Sequence, residues 1–311
     1  MRPIAASGTC AAAVPAPSPA SLALSRLADY TGLFKPRILV LILLAVSAGY
    51  TLGCADRWDF SPLWHTLAGV ALVAAGSSAL NQFVERRTDA RMHRTAQRPL
   101  PAGRLNPWEV FSLGLAAALG GVAYLAVCVN SATAILAAAT FVLYALVYTF
   151  LKRWTSLCTA VGAIPGAMPP VLGWTAGGGS LDGGAFSLFA LLFLWQFPHF
   201  LAIAWIYKDD YARAGLKMLP FRGEAPGVTG ILTVGYCLVL IPLSLYPKAC
   251  GLAGIGYVAA ALILGAVYLL AAVRFAARES AASARQLLAA SLVYLPVLLS
   301  ALVWDHWRLL S

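Results

Sequence analysis

The chain has 311 residues, 60% of them hydrophobic and 11% charged, with a formal net charge of +10. Charged residues make up about a quarter of an ordinary soluble domain, so this composition and a mean hydropathy of +0.78 exclude a soluble globular protein and predict a polytopic membrane protein. The positive balance follows from the excess of Lys and Arg in cytoplasmic loops, and with no reader motif of basic and aromatic residues, nucleic acid is not an expected partner.

Residues 1–28, rich in Ala, Pro and Ser at their start (AVPAPSPAS), are expected to form a disordered tail, and residues 29–311 a single intramembrane domain. Nine apolar segments follow, at 37–55, 62–83, 107–128, 131–150, 157–176, 185–206, 228–247, 251–273 and 287–304, each long enough to span a bilayer as a helix. The expected fold is therefore all-α, a bundle of about nine transmembrane helices around a central cavity. The six cysteines show no CxxC spacing and read as small apolar residues.

With nine spans, 19 of the 22 Lys and Arg fall on one side, leaving Arg57, Lys248 and Arg308 on the other. That asymmetry predicts a cytoplasmic N-terminus and a periplasmic C-terminus. The short tail and unsplit chain suggest a bacterial inner membrane.

The second span runs into residues 81–100, NQFVERRTDARMHRTAQRPL. Asn81, Glu85 and Asp89 are four apart and share one face of a continuing helix. They would offer hard oxygen ligands to a cation such as Mg²⁺, beside the arginines Arg94 and Arg98. A solvated helix end laced with i,i+4 pairs reads equally well from these residues alone. A second acidic cluster, Asp209 and Asp210 beside Lys208 in IYKDDYARAGLKMLPF, follows the sixth span on the same side. Two such clusters facing each other suit Mg²⁺ bridging to a diphosphate, which bare carboxylates would repel.

The ordered set NxxxExxxD, MxRTxxRPLPAGR, YTxLKR, GAIPGAMPPVLGW, FLWQFPHFLAIAW and YKDDYARAGxKMLP, from about residue 29 to residue 220, closely resembles the protohaem IX farnesyltransferase (haem O synthase) family, within the UbiA-type intramembrane prenyltransferases. The resemblance implies a cytoplasmic-side active site. There haem b, farnesyl diphosphate and water would give haem O and diphosphate, with Mg²⁺ as cofactor. By the same resemblance, Asn81, Glu85, Asp89, Asp209 and Asp210 are catalytic and metal-holding. The second acidic motif is incomplete, because Arg213 and Ala214 stand four residues on from the two aspartates. Arg94, Arg98, Tyr148, Lys152, Arg153 and Lys208 would meet the diphosphate, and His199, His93, Lys35 and Arg37 the haem. The bilayer is the remaining partner, with a haem A synthase or terminal-oxidase subunit as a candidate recipient of product. Two other readings stay open: prenyl transfer to an aromatic quinone precursor, and transport of an anionic lipid or porphyrin.

His199, in an apolar helix beside Pro198, is a functional candidate by position, although hydrogen bonding to a neighbouring helix explains a buried histidine equally well. Pro165, Pro169 and Pro170 predict a kinked or broken fifth span. Lys35 and Arg37 are explained as well by anchoring at the membrane surface as by haem propionates.

Overall fold

The computed structural model describes residues 18–54, 60–151, 155, 158–216 and 227–311. The described residues form helices joined by short turns. They begin with α1 (Pro19–Leu33), α2 (Pro36–Gly53), α3 (Phe60–Asp89) and α4 (Pro107–Cys128). The fourth expected span is α5 (Ser131–Val142), a π-helical segment Leu143–Tyr148, and the single turn α6 (Thr149–Leu151). There follow α7 (Cys158–Ala167), α8 (Pro169–Ala176), α9 (Gly183–Ile206) and the short α10 (Lys208–Ala214). The chain ends with α11 (Val228–Ser244), α12 (Tyr246–Ala249), α13 (Ile255–Ala277) and α14 (Ala281–Leu310).

Eight helical stretches among the described residues are long and apolar enough to cross a membrane, and their outer faces expose Leu119, Val127, Ile135, Ile263 and Val267. In lipid the backbone must be satisfied within each segment, which a helix does. The protein is a multi-pass integral membrane protein. The fifth expected span, 157–176, is formed by α7 and α8, divided at Met168. Pro169 and Pro170 bring no N–H to the helix ladder, so α7 ends and α8 restarts with proline at its first turn. The tail also differs from expectation. Ser18 caps α1, its hydroxyl accepting from Ser21 N at 3.2 Å, and the chain is helical from Pro19 onward. Asp29 of α1 is bound by Arg104 at 2.9 Å, which fixes the helix against the segment leading into α4.

Helix starts follow their sequence signals. Asn106 accepts from Trp108 N at 2.9 Å with Pro107 at the first helical position, Asn130 accepts from Thr133 N at 2.8 Å, and Asp182 accepts from Gly184 N and Ala185 N at 2.8 and 3.2 Å. Each satisfies donors that the first helical turn leaves open.

Packing is by close backbone approach, as expected where lipid supplies no hydrophobic drive between helices. A Cβ on Gly49 of α2 would lie 1.9 Å from Pro170 O, and one on Gly173 of α8 2.0 Å from Val46 O. The half-helix α8 is thus pressed directly onto α2. On the far side α9, α11, α13 and α14 share a core with fully buried Tyr257, Tyr268 and Phe275. A small separate cluster of Met92 with Ala204, Tyr207, Tyr211, Ala214 and Leu216 joins the segment after α3 to the end of α9. Both acidic motifs are attached to that cluster.

Candidate active site

Asn81, Glu85 and Asp89 occupy the last turns of α3, and all three are buried despite their polarity, with Asp89 only 1% exposed. Burying such groups is costly unless each is hydrogen-bonded or paired, and the structure supplies partners. Asn81 Nδ2 donates to Glu85 Oε1 at 2.8 Å and to Thr149 Oγ1 at 3.2 Å. Thr149 in turn donates to Tyr144 O at 2.8 Å. The first motif is thereby tied to the π-helical segment that carries Tyr148. Tyr148 stacks on Tyr144 with centroids 5.6 Å apart and lies against Gly162, where a Cβ would come within 2.5 Å of its ring.

Asp89 is paired with Arg98, whose Nη1 is 2.7 Å from Oδ2, while Thr95 Oγ1 donates to the Asp89 carbonyl at 2.9 Å. The 91–98 segment also receives the second motif. Arg94 N donates to Asp210 Oδ2 at 3.3 Å, and Arg213 forms an ion pair with the same carboxylate. Burial raises the Asp210 carboxyl, but the backbone N–H groups of Arg94 and His93 and the Arg213 guanidinium outweigh it and hold the group below the usual carboxylate range. One loop therefore binds both acidic clusters, with Asp89 on one side and Asp210 on the other.

The remaining expected residues divide into groups. Asp209, Lys208, Arg94 and His93 are exposed around this loop. Arg94 lies over the Tyr207 ring at 4.9 Å and Lys208 over Trp205 at 4.2 Å, cation–aromatic contacts that keep both charges at the loop. Lys35 caps α2 with φ 48, the one non-glycine residue in the left-handed region among those described. Two residues before it, the Leu33 carbonyl accepts from Ser78 Oγ at 2.8 Å and Gln82 Nε2 at 2.7 Å, which fixes this corner beside the first motif. Arg37 is exposed. Lys152 and Arg153 lie outside the described residues. His199 sits two helical turns inside the end of α9, apart from the acidic loop, and bonds Ser291 of α14 through Nδ1 at 2.7 Å.

Among the described residues no three His, Cys, Asp or Glu side chains converge to cage an ion by themselves. The five oxygen-bearing residues are distributed over two helix ends across one loop. That donor set fits Mg²⁺, which is held by one or two carboxylates while substrate phosphates and water complete its sphere. Thr149, Gln82 and Ser291 were not expected from sequence. Gln82, next to Asn81 in an apolar helix, was visible as an expensive polar residue, whereas Thr149 and Ser291 are ordinary occupants of a membrane helix.

The sequence profile of the UbiA prenyltransferase family matches residues 27–304. The chain belongs to the UbiA prenyltransferase family. Within it, the chain is 44% identical over 287 residues to a protoheme IX farnesyltransferase of Solibacter usitatus, covering 89% of this chain and 98% of the relative. It is 43% identical over 307 residues to the protein of that name from Koribacter versatilis, covering 94% and 97%. Solved structures share the fold. A digeranylgeranylglyceryl phosphate synthase superposes with a TM-score of 0.76 at 15% identity, covering 91% of this chain and 99% of that one. A UbiA homologue from Archaeoglobus fulgidus bound to GPP and Mg²⁺ superposes with a TM-score of 0.66 at 16% identity, covering 88% and 99%.

Proposed function

We propose that the protein transfers the farnesyl group of farnesyl diphosphate, with addition of water, to a vinyl group of haem b, giving haem O and diphosphate. The observation that carries this reading is the 44% identity, over almost the full length of both chains, to a protoheme IX farnesyltransferase. The geometry agrees with it, since two acidic helix ends and several arginines surround one loop, as a metal-bound diphosphate requires.

Asn81, Glu85, Asp89, Asp209 and Asp210 are the residues that would hold Mg²⁺, which when bound neutralises charge on the departing diphosphate. Asn81 orients the Glu85 carboxylate through its amide. Arg94, Arg98 and Lys208, with Lys152, Arg153 and the Tyr148 hydroxyl, bind the phosphate oxygens and stabilise the charge that develops as the allylic C–O bond breaks. The vinyl π-electrons of haem b attack C1 of the farnesyl cation. Water then adds to the carbon beside the macrocycle and loses its proton, leaving a hydroxyethylfarnesyl group. Apolar walls keep water from the cation before the new C–C bond forms. His199, His93, Lys35 and Arg37 are assigned to haem, the basic pair to its propionates.

The distribution of Lys and Arg supports a cytoplasmic active site in a bacterial inner membrane, with the N-terminus cytoplasmic and the C-terminus periplasmic. Membranes containing the protein, supplied with Mg²⁺, labelled farnesyl diphosphate and either haem b or an aromatic quinone precursor, test the reading. Label is expected in the haem fraction, and label in the aromatic acceptor alone would reject it.

A further inference from the structure

Ser291 in α14 makes two contacts to one pair of rings. Its Oγ is 2.7 Å from His199 Nδ1, and its carbonyl accepts from Trp195 Nε1 at 2.9 Å. Trp195 and His199 stack, with centroids 5.0 Å apart and planes at 26°. The Trp195 carbonyl accepts from Tyr268 OH of α13 at 3.2 Å. The imidazole is thus fixed in tilt by the indole and in position by the serine, and three helices contribute to holding it.

The same contacts decide the tautomer. A serine hydroxyl has one hydrogen to give, and the Ser291 hydroxyl gives it to Leu288 O at 2.6 Å. With that hydrogen on Leu288 O, the Oγ accepts from His199, and the neutral ring then carries its proton on Nδ1 with its lone pair on Nε2. His199 Nε2 has no hydrogen-bond partner among the described residues. The His199 side chain is part-buried, not sealed. Helix α9 is packed by α7, α8, α11 and α14. Neutral imidazole with a second nitrogen held by a hydrogen bond is the arrangement found in metal-ligating histidines.

We infer that Ser291 is a positioning residue that fixes His199 with Nε2 presented as a Lewis base to the iron of a metalloporphyrin bound inside the bundle. The inference rests on haem b being the acceptor and adds how the acceptor is held. His199 is seven residues before the end of α9, about 10 Å along the helix. Iron held there leaves the periphery of the macrocycle, where the vinyl groups are, free to extend toward the acidic loop.

The test uses the purified full-length protein in detergent, titrated with ferric haem b and, separately, with metal-free protoporphyrin IX, and followed by optical absorption and electron paramagnetic resonance. Wild type should give a nitrogen-ligated haem spectrum. His199→Ala should lose it, and Ser291→Ala should weaken haem binding about 10-fold or more, the usual cost of removing a ligand's supporting hydrogen bond. Ser291→Thr, which restores the hydroxyl, should recover most of the affinity. Metal-free protoporphyrin should bind wild type and all three variants alike. An unchanged spectrum in His199→Ala, an equal loss of metal-free porphyrin binding in Ser291→Ala, or no recovery in Ser291→Thr would each overturn the inference. Haem farnesylation by wild type without nitrogen ligation would overturn it alone, whereas ligation with no farnesylated product would reject the assigned reaction instead.

Discussion

Arg98 Nη1 lies 2.7 Å from Asp89 Oδ2, so the most buried acid of the first motif is neutralised by the loop that follows it. A metal and its diphosphate arriving at Asp89 would compete with this guanidinium. Arg98 would then be released within reach of the anion that displaced it.

Arg98→Gln should consequently separate two affinities. Without diphosphate, binding of Mn²⁺ measured by electron paramagnetic resonance should tighten, because the competing cation is gone, while farnesyl diphosphate should bind more weakly. The variant leaves the Asp89 carboxylate buried and unpaired, at a cost of about 1–3 kcal/mol. Thermal unfolding in detergent should show that loss, and added Mg²⁺ should recover part of it. Weaker Mn²⁺ binding in the variant would contradict the competition.

Glu85→Gln and Asp89→Asn keep size and much of the hydrogen bonding while removing charge. Each should lower kcat about 100-fold or more, the scale for loss of one preorganised electrostatic contact, with little change in the amount of folded protein in the membrane. Near-normal turnover in both would remove these residues from metal binding.

Asp210 gives a pH dependence whose sign is fixed. Its folded carboxyl lies below the usual range because the Arg94 and His93 N–H groups and Arg213 outweigh the effect of burial. A depressed folded pKa contributes stability that is present above the unfolded value of about 3.9 and is lost as pH falls through the folded value. The difference in thermal stability between wild type and Asp210→Asn should therefore stay level from neutral pH down to about pH 5 and collapse below about pH 4. A difference that grew on acidification would contradict this pairing.

The contact between α2 and α8 makes a sharp comparison. Gly49→Ala puts a Cβ 1.9 Å from a backbone oxygen that no rotamer change can move, whereas a Cβ on Gly120 of α4 meets nothing within 4 Å. Gly49→Ala should cost about 3 kcal/mol or more as overpacking. Gly120→Ala should be neutral or stabilising by up to about 1 kcal/mol, since it removes a glycine from a helix interior. Denaturation of both variants in the same detergent measures the contrast.

Much of this was legible before any coordinates. Spans and the i,i+4 spacing of Asn81, Glu85 and Asp89 are periodic properties, and a helix converts periodicity into a face. The three prolines at 165, 169 and 170 foretold the break that divides α7 from α8. What periodicity does not encode is contact between distant segments. The bond from Arg94 N to Asp210 and the bond from Asn81 to Thr149 depend on a folded loop and on a π-helical turn with no sequence signature of its own. Ser291 was invisible for the same reason, because its role exists only through His199, 92 residues away. The start of α1 is obscured by the Pro- and Ser-rich composition before it, although a serine cap followed by a proline marks it.

The reaction itself is tested most directly by incubating the purified protein with haem b, farnesyl diphosphate and Mg²⁺ in water enriched in heavy oxygen, followed by mass spectrometry of the extracted porphyrins. The expected product is haem carrying one farnesyl group and one oxygen from solvent, formed by wild type and suppressed in Asp89→Asn. Unmodified haem alongside released farnesol, or a farnesylated haem without solvent oxygen, would contradict the proposed chemistry.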